Sequence, residues 1–287
     1  MSIPSNSEEF HERTKWRTKT KDHKLSVSNC IAAWSDICGF GEQLRKNKWN
    51  LESLQKDGML LLLSEVFTAV GGPLLVNISP LPHEIVLVLN DGVARTVDML
   101  HKDKVSSQTF LFYLRDLLFT HYFLLEITRK YDLGVRTIVA GGEKVQYSPT
   151  TQTGESILFY DDAKISDFGK KFLNTTFLYN PAEFQMNTAF AKAFTIDSIG
   201  TKGNILVNGF YIEDSFLEKI ADLKDILIKK QKKSIEFVLK GTLVFKFILA
   251  ESFERDIKGL KVLLHHVKSF EIYKDFDGDD VVVKMFR

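Results

Sequence analysis

Two aspartates, Asp36 and Asp91, each stand where an apolar segment gives way to a glycine-containing turn. Cys30-Ile-Ala-Ala-Trp34 precedes the first aspartate, and Gly92 directly follows the second. Carboxylate oxygens suit Mg²⁺ and Mn²⁺, and a pair of such ions can activate an attacking hydroxyl while neutralising the leaving phosphates. The two residues therefore predict phosphoryl-transfer chemistry on a nucleotide, provided that the fold brings them together.

The segments around the two aspartates predict elements that can do this. Val27–Trp34 is apolar enough for a buried strand, and Leu51–Val70 has helical spacing until Gly71-Gly72-Pro73 ends it. A hairpin follows, with strands at Ile85–Leu89 and Val93–Val97 joined by Asn90-Asp91-Gly92. A strand, a helix and a hairpin in this order return Asp91 to the end of the first strand. Taken alone, each aspartate is more simply explained as a turn residue.

Strands and helices continue to alternate along the rest of the chain. The pattern predicts helices at Ser107–Arg129, Ala182–Ile199, Asp214–Gln231 and within Glu251–Lys268. It predicts strands at Val135–Ala140 (closed by Gly141-Gly142), Ile157–Tyr160, Ile205–Ile212, Ser234–Leu249 and Phe270–Phe286. This order predicts an α+β fold: a ferredoxin-like βαββαβ core in which an antiparallel or mixed sheet carries helices on one face.

Composition and charge limit the class of protein. The 287 residues are 44% hydrophobic with a net charge of +1, so a sizeable core is available and no global field attracts nucleic acid or membrane. Residues 1–26 form a polar, basic arm that we expect to be solvated rather than bound to nucleic acid. Charged residues interrupt the most apolar region, Thr109–Ile127, and the first twenty residues contain no apolar leader. The two cysteines fit a reducing compartment, so a cytoplasmic protein is expected.

A third segment of interest is Glu183–Lys192, which is predicted to be helical with Asn187 on one face. An asparagine between apolar residues of a helix is unusual because its side chain competes for backbone hydrogen bonds. It is either a satisfied structural residue or a functional one, and the helix alone does not decide between them.

At these three places the chain resembles the class III nucleotidyl cyclases. Their core opens with a strand ending Asp-Ile-x-Gly-Phe, here Asp36 to Phe40, and their hairpin carries Gly-Asp-x-x-(Met)-Ala, here Asn90 to Ala94. A strand of the form Arg-x-Gly-Ile is loosely matched at Val135–Ile138, and the late helix that begins Val-Asn-x-Ala is matched at Met186–Ala189. The resemblance covers residues 27–250 as a catalytic domain, and residues 251–287 become a C-terminal extension that completes the sheet.

This resemblance implies that a ribose 3′-hydroxyl attacks the α-phosphate with loss of pyrophosphate. Asp36, Asp91 and the backbone carbonyl of Ile37 would hold two Mn²⁺ or Mg²⁺ ions in each active site. The segment Gly39-Phe40-Gly41 would present N–H groups to the triphosphate at the start of a helix. In the family one subunit of a dimer supplies the metals and the other supplies the late-helix residues, so a homodimer is expected.

Two positions that read the base in adenylyl and guanylyl cyclases are different here. Leu87 stands in the place of a lysine that helps to read the purine, and Asn180 stands where the family has aspartate or cysteine. The amide of Asn180 offers both a donor and an acceptor, so it is the expected base-reading residue.

The cations of the family's site are also rearranged. Asn187 is kept as a catalytic residue of the late helix, but Ala191 replaces the arginine one turn later. Lys192, Arg95 and Arg136 are the candidates to neutralise transition-state charge in its place. Lys240 loosely matches a lysine that binds the triphosphate, and it is assigned to substrate binding on that resemblance.

A site that keeps the metal-binding aspartates but lacks the purine-reading residues resembles that of the pyrimidine cyclases of bacterial anti-phage (Pycsar) defence. Those enzymes make cyclic UMP or cyclic CMP, which a separate effector senses. The resemblance predicts a uridylate cyclase that uses UTP, with CTP as the alternative substrate. A divergent adenylyl or guanylyl cyclase is the rival enzyme, and a catalytically silent nucleotide sensor on the same fold is the rival outside enzymes.

Overall fold

The computed structural model describes residues 27–76, 84–99, 107–145, 167, 184, 186–274 and 280–286. The predicted basic arm, the strand at 157–160 and Asn180 lie outside these residues. The chain divides into two compact units, one comprising residues 1–28 and 144–187 and the other comprising residues 29–143 and 188–287. In the first unit, Lys144 pairs with Asn187 in an isolated antiparallel bridge.

The first half of the chain follows the predicted order. Its elements are β1 (Val27–Cys38), α1 (Phe40–Lys46), α2 (Leu51–Lys56), α3 (Met59–Val76), β2 (Glu84–Leu89), β3 (Gly92–Asp98), α4 (Ser107–Arg129) and β4 (Gly134–Val145). The predicted hairpin and the long helix α4 are confirmed, α4 with the predicted bounds. The stop at Gly71-Gly72-Pro73 is wrong, because α3 continues to Val76. Local propensity is a weak signal that the rest of a fold can override.

The second half contains more strand than predicted. Its elements are α5 (Thr188–Ser198), a 3₁₀ turn (Thr201–Gly203), β5 (Phe210–Glu213), α6 (Asp214–Ala221), β6 (Ile226–Gln231), β7 (Ser234–Leu239), β8 (Thr242–Ile257), β9 (Leu260–Lys274) and β10 (Asp280–Phe286). The helix predicted at 251–268 is wrong, since these residues form the long hairpin of β8 and β9. The helix predicted at 214–231 ends at Ala221, and its last third is the strand β6. The strand predicted at 205–212 is confined to β5.

The strands form one mixed sheet in the order β2-β3-β1-β4-β5-β9-β8-β7-β6, with β10 also paired to β9. β4 and β5 run parallel, whereas β1 with β3, β2 with β3 and β5 with β9 run antiparallel. An alternation of helices with a mixed sheet confirms the α+β class.

Both faces of β1 are covered. Successive side chains of a strand point to opposite faces, and Ile31 and Ala33 pack in a core cluster with residues of α4 and α6. The alternate residues Cys30 and Ala32 pack with Ala189 at the start of α5. The expectation of helices on one face therefore holds for α4 and α6 but not for α5, because β1 is apolar on both faces.

The glycine pair of β4 lies within the strand and does not end it. A Cβ on Gly141 would be 2.2 Å from the backbone oxygen of Ser215, and one on Gly142 would be 2.5 Å from the backbone nitrogen of Ala189. Glycine in a strand often marks such a close approach of backbones. The pair therefore lets α6 and α5 approach β4.

Across the described residues, no helix combines the length and the apolar character that crossing a membrane would require.

Candidate active site

The end of β1 and the turn of the β2–β3 hairpin lie side by side. In the antiparallel register of β1 and β3, Asp36 is opposite Gly92. The N–H of Ile37 then donates to the carbonyl oxygen of Asp91 at 3.2 Å. Asn90, at a φ of 55°, completes the tight turn. The structure thus places Asp36 and Asp91 on adjacent strand ends, as the sequence predicts.

Negative charge is concentrated at these strand ends. Burial, together with the carboxylates of Asp197 and Asp91, raises the pKa of Asp36 to about 7, although the cation of Arg136 acts in the opposite direction. Burial also raises the pKa of Asp91, and Asp197 adds to that effect. Three carboxylates therefore act on one another around a single arginine.

Arg136 is held in this cluster by several partners. Its Nε donates to the Asp197 carboxylate, Nη1 donates to the carbonyl of Ile205 at 3.0 Å, and Nη2 donates to the carbonyl of Asp197 at 3.3 Å. The same Nη2 lies 3.9 Å from Oδ2 of Asp36. Of the three cations considered as replacements for the helical arginine, Arg136 is the one that the structure brings to the aspartates.

Asp197 is a site residue that sequence reasoning missed. It comes from α5 and is buried, and it accepts a hydrogen bond from Nε1 of Trp34 at 3.2 Å. The Trp34 ring meets Phe190 and Phe194 of the same helix edge to face, with ring centroids 5.9 and 5.4 Å apart. The single acid of the helix Thr188–Ser198 and an arginine in a buried strand are the sequence signals for the pair of Asp197 and Arg136.

The segment after Asp36 combines turn and core residues. Gly39 adopts a φ of 96° and caps α1, a conformation that glycine adopts without strain. Phe40 and the side chain of Ile37 belong to a core cluster with α2 and α3. Phe40 is therefore a packing residue, whereas Gly39 and Gly41 are exposed beside the aspartates.

Leu87 lies on the same face of the sheet as the site. It is paired with Ala94, which is in turn paired with Trp34. Because directly paired residues project to the same side of an antiparallel sheet, Leu87 shares a face with Trp34 and Asp36. An apolar side chain on the edge strand β2 therefore lies on the face of the sheet that carries the Asp36 side chain.

Arg95 is not at this site, which corrects the prediction that it is catalytic, whereas Lys192 is not brought to the two aspartates within one copy of the chain and its catalytic role stays a prediction. Arg95 is paired across strands with Ala33, on the α4 face of β1, and it forms a buried ion pair with Glu84. Lys192 donates to the carbonyl of Gly141 at 3.0 Å and to Oγ of Ser215 at 2.9 Å. Because successive side chains of a strand alternate, Arg95 projects from the face of the sheet opposite to Asp36. The side chain of Lys192 extends from α5 to β4 and α6.

The other predicted residues lie elsewhere in the chain. Asn187 precedes α5 and does not lie inside a helix, because the helix begins at Thr188. Lys240 is exposed in the turn between β7 and β8, with β4, β5 and β9 between β8 and β1 in the sheet. Lys240 is not brought to Asp36 within the unit that contains both, so its triphosphate-binding role stays a prediction that depends on a second subunit. Asn187 belongs to the other unit, and its catalytic role also stays a prediction.

The donors present fit a divalent cation that the substrate helps to hold. Within the described ranges, no group of three or more His, Cys, Asp or Glu side chains could hold a metal ion. Mg²⁺ is commonly bound by one or two carboxylates together with substrate phosphates and water. Asp36 and Asp91 supply two such carboxylates, and the raised pKa of Asp36 indicates an environment that a cation would stabilise.

Comparisons with known proteins find likeness in structure alone. No family model and no curated protein matches the chain. The adenylyl cyclase CyaB from P. aeruginosa aligns at 11% identity and a TM-score of 0.46 over 85% of this chain and 96% of that one. The guanylyl cyclase Cya2 aligns at 9% identity and a TM-score of 0.44, over 90% of this chain and 100% of that one. The guanylate cyclase domain of RhGC from Catenaria anguillulae, solved in complex with GTP, aligns at 11% identity and a TM-score of 0.42. This alignment covers 84% of this chain and 97% of that one.

Proposed function

We propose that this protein is a metal-dependent nucleotidyl cyclase. The observation that carries the proposal is the adjacency of Asp36 and Asp91, with the Ile37 N–H and the Asp91 carbonyl oxygen 3.2 Å apart. The sequence motifs at these positions resemble those of class III cyclases, and the negative charge at the strand ends is suited to a divalent cation. Asp36 and Asp91 would hold Mn²⁺ or Mg²⁺, with the backbone carbonyl of Ile37 as a further ligand.

The reaction closes a ring within one nucleoside triphosphate. The ribose 3′-oxygen forms a bond to the α-phosphorus, the bond from that phosphorus to the bridging oxygen of the β-phosphate breaks, and the hydroxyl proton passes to solvent. Bound divalent cations would neutralise the phosphates and make the hydroxyl more acidic. Asp36 and Asp91 would hold those ions and so orient the substrate, and the exposed Gly39 and Gly41 leave room for phosphate oxygens near the backbone.

A pyrimidine nucleotide is the proposed substrate, with UTP favoured over CTP. Leu87 supports this choice because an apolar side chain lies on the site face of the sheet where the purine cyclases have a reading lysine. The role of Asn180 in reading the base is part of the same proposal. The product would be a second messenger of bacterial anti-phage defence, sensed by a separate effector, and the enzyme would act as a cytoplasmic homodimer with Asn187 and Lys240 supplied by the second subunit.

A nucleotide sensor without turnover is the second candidate. It is favoured by one observation: Arg95 and Lys192, two of the cations that could replace the helical arginine, are already bound to structural partners. A sensor would bind nucleotide and release no pyrophosphate.

Incubation of the purified protein with ATP, GTP, CTP or UTP and Mn²⁺, followed by mass spectrometry of the products, tests the proposal. Cyclic UMP or cyclic CMP with pyrophosphate is the expected result. Cyclic AMP or cyclic GMP would support the assignment as a nucleotidyl cyclase and refute the assignment of a pyrimidine substrate. Nucleotide binding without product would favour the sensor.

A further inference from the structure

Arg136 is a buried cation with a fixed orientation. Its side chain comes from the core strand β4 and is 8% exposed. All three guanidinium nitrogens donate hydrogen bonds, to the Asp197 carboxylate and to the backbone carbonyls of Ile205 and Asp197. A planar guanidinium held at three nitrogens cannot turn toward another partner without losing some of these bonds.

The guanidinium is shared unequally between two carboxylates. It hydrogen-bonds to Asp197 through Nε, whereas its nearest approach to Asp36 is the 3.9 Å between Nη2 and Oδ2. A charge-assisted hydrogen bond between nitrogen and a carboxylate is about 2.7–2.9 Å long. Arg136 therefore reduces the charge at Asp36 without closing a hydrogen bond to it.

Asp197 is itself positioned by the element that carries it. Trp34 donates Nε1–H to its Oδ2 at 3.2 Å, and the Trp34 ring packs against Phe190 and Phe194 of α5. Trp34 precedes Asp36 by two residues on β1 and therefore shares its face. The strand that carries the metal-binding aspartate and the helix that carries Asp197 are thus connected by the same aromatic contact.

We propose that Asp197 is a positioning residue that retains Arg136 away from Asp36, so that Asp36 stays open to a divalent cation. Without the Asp197 charge, Nε would lose its charge-assisted bond while Nη1 and Nη2 kept their backbone acceptors. Asp36, whose Oδ2 lies 3.9 Å from Nη2, would then be the carboxylate toward which the guanidinium shifts. Arg136 would then compete with the metal for the same oxygens. This inference rests on the proposed function in one respect, namely that Asp36 binds a divalent cation.

Mn²⁺ binding to the nucleotide-free protein, followed by the electron paramagnetic resonance signal of free Mn²⁺, tests the proposal without turnover. Asp197→Asn should raise the Kd for Mn²⁺ about tenfold, because Arg136 is released toward Asp36 and a nearby negative charge is lost. Arg136→Gln should lower the Kd by roughly threefold or more, because the competing cation is gone. A merely structural role for the pair would weaken Mn²⁺ binding in both variants.

The double variant Asp197→Asn with Arg136→Gln keeps the test valid if a single variant folds poorly, since it leaves neither charge buried alone. If Asp197 acts through Arg136, replacing Asp197 in the Arg136→Gln background should raise the Kd by much less than the roughly tenfold expected for Asp197→Asn alone, whereas a purely Coulombic effect would be equal in both backgrounds. Arg95→Gln is the matched control, because it removes another buried, ion-paired arginine on the opposite face of the sheet and should leave the Kd unchanged.

Weaker Mn²⁺ binding in both single variants, or no change in either, would overturn the inference while leaving the metal site intact. Absence of Mn²⁺ binding in the wild type would also overturn the inference, which requires the ion at Asp36 without nucleotide. Binding that survives in Asp36→Asn would instead overturn the metal assignment of the proposed function, and the inference with it.

Discussion

At the scale of residues, the site is an accumulation of like charge that the fold tolerates. Asp36, Asp91 and Asp197 act on one another, and Arg136 is the cation that reduces the repulsion. Such an arrangement reduces stability in the absence of a ligand, as is common where residues are placed for function and not for packing.

Asp36→Asn should therefore stabilise the metal-free protein. The variant removes one of three interacting negative charges and keeps the size of the side chain, so the free energy of unfolding in EDTA should rise by about 1 kcal/mol. Urea denaturation measures this change. Added Mn²⁺ should raise the midpoint of the wild type and leave that of the variant unchanged, because only a folded state that binds the ion is stabilised by it. A variant less stable than the wild type in EDTA would contradict the description of the site as mutually repulsive.

Leu87→Lys tests the base-reading role of the edge strand. A cationic side chain at this position should shift the substrate preference toward purine triphosphates, measured as the ratio of kcat/KM for GTP or ATP to that for UTP. Val88→Lys is the matched control, because Val88 is the next residue of β2, is exposed and projects from the opposite face. Equal effects of the two variants would contradict the proposed role of Leu87 in reading the base.

At the scale of elements, the position of α5 determines whether the site is complete. The helix packs on Cys30 and Ala32 of β1 through Ala189 and brings Asp197 to Arg136. Its start lies directly against Gly142 of β4, where a Cβ would be 2.5 Å from both the Ala189 nitrogen and Oγ1 of Thr188.

Gly142→Ala should consequently displace α5 and lower the free energy of unfolding by about 1–3 kcal/mol, the usual range for an overpacked position. Chemical denaturation measures this loss. Gly41→Ala is the control, since a Cβ there has nothing within 4 Å and alanine favours the helix α1. A Gly142→Ala protein as stable as the wild type would show that α5 can shift without cost.

The sequence predicts the parts of the site that depend on neighbouring residues. Asp36 and Asp91 could be placed because the turn chemistry of the hairpin and the order of strand, helix and hairpin are local features. Asp197 could not be placed, because its contact with Arg136 depends on the packing of α5 against a particular face of β1. Successive side chains of a strand project from opposite faces, and Arg95 projects from the face opposite to Asp36, so its assignment to the site is wrong.

The strands missed near the C-terminus have a related explanation. The sequence predicts a helix within residues 251–268, yet Lys258 and Gly259 adopt φ values of 54° and 87° in the turn of the β8–β9 hairpin. A Lys-Gly pair was a weak turn signal beside the helical pattern, and the long pairing of β8 with β9 decided the structure.

At the scale of the whole molecule, the proposed function involves a second copy of the chain. Lys240 lies in a turn separated from β1 by three strands, and Asn187 is held in a bridge with Lys144. If both residues act on substrate, a symmetric dimer is the simplest assembly in which each site draws residues from two subunits.

Mixing two inactive variants tests this shared site. Asp91→Asn removes a proposed metal ligand and Asn187→Ala removes a residue proposed to act from the second subunit, so each alone should be inactive. Equal mixing with subunit exchange makes half of the dimers mixed, each with one intact site, and should restore roughly a quarter of the wild-type rate. No recovery in dimers shown to have exchanged subunits would place both residues in the same subunit's site or remove Asn187 from it.

The most direct test of the central claim is the rate of cyclic nucleotide and pyrophosphate formation by Asp91→Asn, measured with Mn²⁺ and the best of the four triphosphates. The substitution keeps shape and removes the charge, so activity should fall on the order of a hundredfold or more. Asp225→Asn, at an exposed turn aspartate with a φ of 64°, should retain the wild-type rate. A wild-type rate in Asp91→Asn would contradict the assignment of the adjacent aspartates as the metal-binding pair of a cyclase.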